Sequence, residues 1–200
     1  MARYRAIAAL ADAVIRLLSD CHDPREFDQL EFKVFTARDF NPERGTTPPI
    51  KSGVSLFPYR LFVNGVNRNP GGGPRPALPI EVHFLLTIWG ENAFVQNSLA
   101  GWVMRVLEDH PLLPASLLNT TQVSPFADGE QVQVVLGDLS TEDLFRIWER
   151  LAPQPYMLSI PYVARTICIE SLSPELGGQR VVERQAGFAV DGGDQREGGN

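Results

Sequence analysis

Apolar residues recur at the helical interval near the start of the chain, where Ile7, Leu10, Ala11, Val14, Leu17 and Leu18 form one stripe and Arg5, Asp12 and Arg16 lie off it. This predicts a first helix over about residues 3–20, stopped by Pro24. The period then changes to two. Leu30, Phe32 and Val34 alternate with Glu31 and Lys33, giving a strand over 29–37, and the set Phe57, Tyr59, Leu61 and Val63 gives a second over 54–63, with Pro58 demanding an edge or a bulge. Ile80, Val82, Phe84, Leu86 and Ile88 make the clearest strand of the chain.

Val95, Leu99, Trp102, Val103, Val106 and Leu107 predict a second helix over about 92–110, ended by Pro111. Val132, Val134 and Leu136 read as a strand. Ser140 with Asp143 three residues later opens a short helix carrying Leu144, Ile147, Trp148 and Leu151. Residues 156–170 close the pattern as a long strand, with Pro161 again arguing for an edge or a bulge. The breaker-rich stretches 41–52 and 64–79 are loops at opposite ends of the second strand.

The pattern therefore predicts a single α+β domain over residues 1–172, with a mixed, mostly antiparallel sheet of about five strands packed with two longer helices and one short one. Leu17, Phe84, Leu86, Leu99, Trp102, Val106, Trp148 and Ile167 are its expected core, with Trp89, Trp102 and Trp148 packing residues rather than a ligand cage. Residues 173–200 change composition to Gly, Glu, Gln and Arg, and Val181, Val182, Phe188 and Val190 are too few to build a core alone. Residues from about 180 to 190 are expected to form an extended arm buried against a partner, with Asp191 onward loosely held; a solvated end is the alternative.

Composition narrows the function. The 200 residues are 44% hydrophobic and 21% charged, which fits a globular domain. A net charge of −6 disfavours nucleic acid as a partner. Of 18 basic residues only Lys33 and Lys51 are lysine, and the arginine excess suits protein interfaces. Two cysteines, Cys21 and Cys168, make neither a disulfide framework nor a zinc spacing. Without a signal-like apolar run or a membrane-length segment, the expected place is the cytoplasm, with no direct membrane insertion.

No pattern of catalysis stands out. There is no nucleophile elbow, and Gly71-Gly72-Gly73 precedes a strand without a GK[ST], so it reads as loop. Cys21, His22 and Asp23 with Asp109 and His110 match no metal-ligand spacing, and His83 on its strand reads as a surface or partly buried side chain. Asn119-Thr120-Thr121 has the glycosylation pattern but lacks a secretory context. The expectation is no enzyme, no cofactor and no metal.

Several stretches, in order, resemble the tail-terminator or cap proteins of phage-tail-like contractile injection systems. They are AIAALADAV at 6–14, LFVNGVNRN at 61–69 and LPIEVHFLLT at 78–87. Gln96, Leu99 and Gly101, then Leu107 with HPLL from His110, continue the series, and the helix with Trp148, YMLSIPYVAR at 156–165 and Ile169-Glu170 complete it. The resemblance implies a hexameric ring on the distal end of an inner tube and its sheath. Such a ring ends tube polymerisation and anchors the last sheath ring, with the inner tube protein, the sheath protein and its own copies as partners. It places the chain in an assembled particle, inside the cell or released from it. Asn67, Arg68 and Asn69 in the long loop, and Arg180, Val181, Val182 and Arg184 in the tail, are the candidate partner-facing residues. A phage-like connector or baseplate adaptor, or a small-molecule-binding or enzymatic domain, remain the alternatives.

Overall fold

The computed structural model describes residues 1–40, 50–64, 77–120, 124–151 and 156–172. Helix α1 (Ala6–Asp20) is followed by strand β1 (Glu31–Val34), a 3₁₀ turn (Ala37–Phe40), β2 (Gly53–Val63) and β3 (Leu78–Trp89). Then come α2 (Ala93–Asp109), β4 (Leu112–Pro114), α3 (Ala115–Leu118), β5 (Gln131–Leu136), α4 (Thr141–Leu151) and β6 (Ser159–Ile169). Six strands form one sheet in the order β1-β2-β3-β6-β5-β4, antiparallel throughout except for the parallel β1–β2 pair. The fold is the expected α+β class, with one strand more than the pattern predicts. β4 escapes the pattern because three residues, the last of them Pro114 and all directly after Pro111, carry no period.

Alternation divides the sheet into two covered faces. Ile80, Val82, Phe84, Leu86 and Ile88 point to one side, where they join Leu10, Val14 and Leu18 of α1 and Leu99, Val103 and Leu107 of α2 in the main core. The opposite side of the same strands is also closed at one end, where Trp89 packs with Phe35, Phe40, Ile50 and Trp148 beneath the 3₁₀ turn and α4. Phe40 meets Phe57 and Trp148 edge-on, at ring distances of 5.4 and 5.5 Å. Seven of the eight expected core residues are buried, and Trp102 is half-buried against Phe27 and Phe32.

This second core is polar at its centre, and every polar group there has a partner. The Trp89 indole N–H donates to Ser55 Oγ (2.9 Å). Ser159 Oγ donates to the Met157 carbonyl (3.0 Å), so its lone pairs receive the Trp148 indole N–H (3.2 Å) and the Thr87 hydroxyl (3.0 Å). Replacing Ser159 by alanine leaves two buried donors without an acceptor. The expected cost is about 2–3 kcal/mol, read as a lower urea midpoint with an unchanged denaturant slope.

Four local expectations are corrected. The strand over 29–37 shortens to β1, because Thr36 donates both its backbone N–H and its hydroxyl to the Asp39 carboxylate (2.6 and 2.7 Å) and turns the chain into the 3₁₀ segment. The alternation of Phe57, Tyr59, Leu61 and Val63 does not persist, since the bulge at Tyr59 shifts the register between Pro58 and Arg60. Phe57 therefore packs on the second core while Leu61 and Val63 are exposed.

Pro161 lies on an interior strand, but where the β5 ladder runs out. Its carbonyl accepts from Gly137 N (2.9 Å), just past the end of β5, and the missing donor faces the same way. Arg16, expected on the solvent side of α1, is half-buried and donates through Nη2 to the Leu117 carbonyl of α3. The predicted helix starts hold. Asn92 Oδ1 accepts from Val95 N (3.0 Å), and Ser140 Oγ from Asp143 N (3.1 Å) while donating to the Asp143 carboxylate (2.7 Å).

Candidate interaction surface

The residues considered for chemistry are occupied with structure instead. His22 bonds the Phe27 carbonyl through Nε2 (2.7 Å) and packs on Phe32 and Trp102. His110 bonds the Val106 carbonyl through Nδ1 (2.9 Å) at the end of α2. Trp102 and His110 are two turns apart on that helix, about 12 Å, so the two histidines do not converge. Asp109 pairs with Arg105, whose guanidinium holds the carboxyl below its usual range. Cys21 is exposed, its thiol raised by partial burial and by Asp20. Among the described residues no three His, Cys, Asp or Glu side chains are placed to hold a metal. Both halves of the Asn119 amide are committed to Phe126, Nδ2 to its carbonyl (2.9 Å) and Oδ1 from its N–H (3.0 Å), which gives this asparagine a loop-fastening role.

The loop carrying Asn67, Arg68 and Asn69 and the tail carrying Arg180, Val181, Val182 and Arg184 lie outside the described residues. What the structure does place is the loop's base. Asn64 N donates to the Pro79 carbonyl (3.0 Å), and Asn64 Nδ2 to Glu81 Oε1 (3.0 Å), where β2 gives way to β3. Around this base Leu61, Phe62, Val63 and Leu78 are exposed, Leu61 by 56%. The Arg60 guanidinium lies 5.1 Å over the Phe62 ring. Beside it Tyr59 meets His83 edge-on at 6.0 Å.

Clustered apolar side chains next to an arginine–aromatic pair have the composition of an interface core. The signal was present in the sequence as Leu61-Phe62-Val63, three apolar residues in a row where an alternating strand would place a polar one. Residues 50–52 lead into the Gly53 end of the same strand, about 33 Å from the Val63 end at strand rise.

His83 gives this surface a pH response. Burial and then the positive Arg60 hold its imidazole below the ordinary histidine value, with Arg165 adding to that and Glu81 opposing it. The unfolded chain binds this proton near pH ~6.5 and the folded chain less readily. Stability contributed by neutral His83 is thus complete above about 6.5 and declines as the pH falls below it. His83→Gln is expected to lose less stability than the parent chain between about pH 8 and about pH 5.5, as measured by urea midpoints.

The family model described as the Pvc16 N-terminal domain matches residues 8–183. The chain belongs to the Pvc16 N-terminal domain family. Two solved structures share the fold. One is described as the PVC sheath/tube terminator of an extracellular contractile injection system in the extended state, with a TM-score of 0.52 and 18% identity, covering 92% of this chain and 65% of that one. The other is the anti-feeding prophage cap, a tube terminating cap, with a TM-score of 0.54 and 12% identity, covering 88% of this chain and 60% of that one. The chain thus spans less than two thirds of either neighbour's length. No curated protein matches it. Among the described residues of this Pvc16 N-terminal domain, no helix is long and apolar enough to cross a membrane.

Proposed function

We propose that this chain is a structural cap, the tail terminator of a contractile injection system. In this reading it forms a ring, six subunits by family resemblance, on the distal end of the inner tube and sheath. The ring ends tube polymerisation and holds the last sheath ring, with no catalytic step and no cofactor. The family match over residues 8–183, in a fold shared with two terminators over about nine tenths of the chain, carries the proposal. A closed ring needs a heterologous contact, in which one patch of each subunit meets a different patch of the next. The segments 41–52 and 64–79, at opposite ends of β2, are assigned as the two patches, and the Val63 end has interface composition.

Deleting the protein from the producing cell tests the reading by electron microscopy of the particles. Tubes of uncontrolled length and frayed sheath ends are the expected result, and a labelled chain should be seen at one particle end only. Particles of parental length with intact ends would overturn it. Arg68 is assigned bidentate pairing to a carboxylate or to backbone carbonyls at the ring or tube contact. Arg68→Glu should leave the subunit folded by circular dichroism while weakening ring formation in sedimentation and raising the fraction of uncapped tubes. Unchanged rings and tube lengths would remove this loop from the contact.

A further inference from the structure

β1 pairs with β2 only from Gly53 to Leu56, whereas β2 continues to Val63. Among the described residues no strand lies along the outer side of that continuation. The hydrogen bonds fix which groups face it. Asn64 N is bonded inward to Pro79, so by alternation Val63 and Leu61 turn their N–H and C=O groups outward. The Leu56 carbonyl faces outward too, accepting from Phe35 N (2.8 Å), which turns the donorless side of Pro58 the same way. Among the described residues the edge is thus open, and it is apolar as well, since Leu61, Phe62 and Val63 are all exposed. A bare edge of this kind pairs with other chains unless it is covered.

The chain leaves the fold beside this edge. β6 ends at Ile169, in register with Leu78 at the start of β3, and β3 adjoins the Val63 end of β2. From β6 to a position outside β2 is three strand spacings, about 14 Å, and residues 170–179 span about 30 Å when extended. A strand arriving from that end runs back down β2 antiparallel. The first strand-competent segment it reaches is Arg180-Val181-Val182-Glu183-Arg184, a β-branched pair between charged residues.

We infer that residues 180–184 add a further strand to their own sheet, antiparallel to the Leu61–Val63 edge of β2. The sequence alone sends this segment to a neighbouring subunit, but the sheet offers a nearer acceptor, and a tethered strand is favoured by its effective concentration. The added strand closes the edge through main-chain bonds and shields Leu61 and Val63, while Phe62 under Arg60, on the opposite face of β2, stays available for the ring contact. The inference does not depend on the capping role.

The test uses the full chain. In the parent the Leu61 and Val63 amides should exchange slowly with deuterium. Val182→Pro should accelerate them by more than about tenfold, with the amides of β3 and β6 unchanged and Val182→Thr close to the parent. Equal exchange at Leu61 and Val63 in the parent and Val182→Pro chains would overturn the inference. A second measurement separates own chain from neighbour. In a Cys21→Ser, Cys168→Ser background, Leu61→Cys is combined in turn with Val181→Cys, Val182→Cys or Glu183→Cys. An intramolecular disulfide in at least one pair is expected, because a paired strand brings Cα atoms within about 4.4–6.8 Å. Disulfides only between chains, or none in any pair, would overturn it.

Discussion

Phe84→Ala is expected to lower the unfolding free energy by about 3–5 kcal/mol, roughly a fifth or more of what a domain of this size commands. Phe84 is 1% exposed in the middle of β3, flanked by Pro58 of β2 and Tyr162 of β6. Its ring stacks 6.0 Å from that of Tyr162, itself so enclosed that burial pushes the phenol up to about 12. Both neighbours belong to hydrogen-bonded strands, so the sheet cannot collapse into the space left by the ring. Phe84→Leu keeps most of the volume and should cost under about 1.5 kcal/mol. Urea unfolding of the two variants measures the difference, and a loss below about 1 kcal/mol for the alanine variant would contradict the packing described.

Gly53→Ala is expected to cost about 3 kcal/mol by a different route. Gly53 opens β2 at φ 148°, a region that side chains rarely occupy, and a Cβ there would collide with the Glu31 backbone of β1. Neither strand can yield cheaply. Glu31 N is bonded to the Ser52 carbonyl (2.9 Å), and Gly53 pairs with Trp89 on the other side. The variant should release β1 and loosen the second core, which places Phe35 against Trp89 at 6.1 Å. Faster amide exchange in β1 and altered tryptophan fluorescence, with α2 unaffected, are the expected signatures. Parental stability would contradict the close approach of the two strands.

Where a single face of an element is buried, the chain's pattern disclosed it. α1, α2 and the capped start of α4 stand within a few residues of their expected places because one stripe decides each of them, and β3 does too, its alternating aliphatics remaining visible although both of its faces are buried over its second half. β1 and β2 were harder to read because their ends serve different cores. Val54 and Leu56 face α1, Phe35 and Phe57 face the second core, and the bulge at Tyr59 breaks any single period. β4 is too short to have a period at all. The unbroken run Leu61-Phe62-Val63 marks the apolar rim completed by Leu78, but its exposure does not follow from the pattern. Hydrophobic residues in a strand are read as core, and only the structure shows that these four are exposed, with no helix among the described residues packed over them.

The central pairing of the sheet also governs how the chain arrives at it. β3 lies between β2, its near neighbour in sequence, and β6, whose Ser159 meets Thr87 from 72 residues away. Ala2 is bridged to the end of β6, taking Cys168 as acceptor (3.0 Å) and receiving Glu170 N (2.8 Å), so the unit closes only when its two ends meet. Pairing of such high contact order puts folding in the range of milliseconds to seconds. During synthesis β3 must wait with one side unpaired until the ribosome has delivered nearly the whole domain. Chains broken off before Ser159 therefore expose the apolar β3 edge, and their natural fate is aggregation rather than a smaller folded unit.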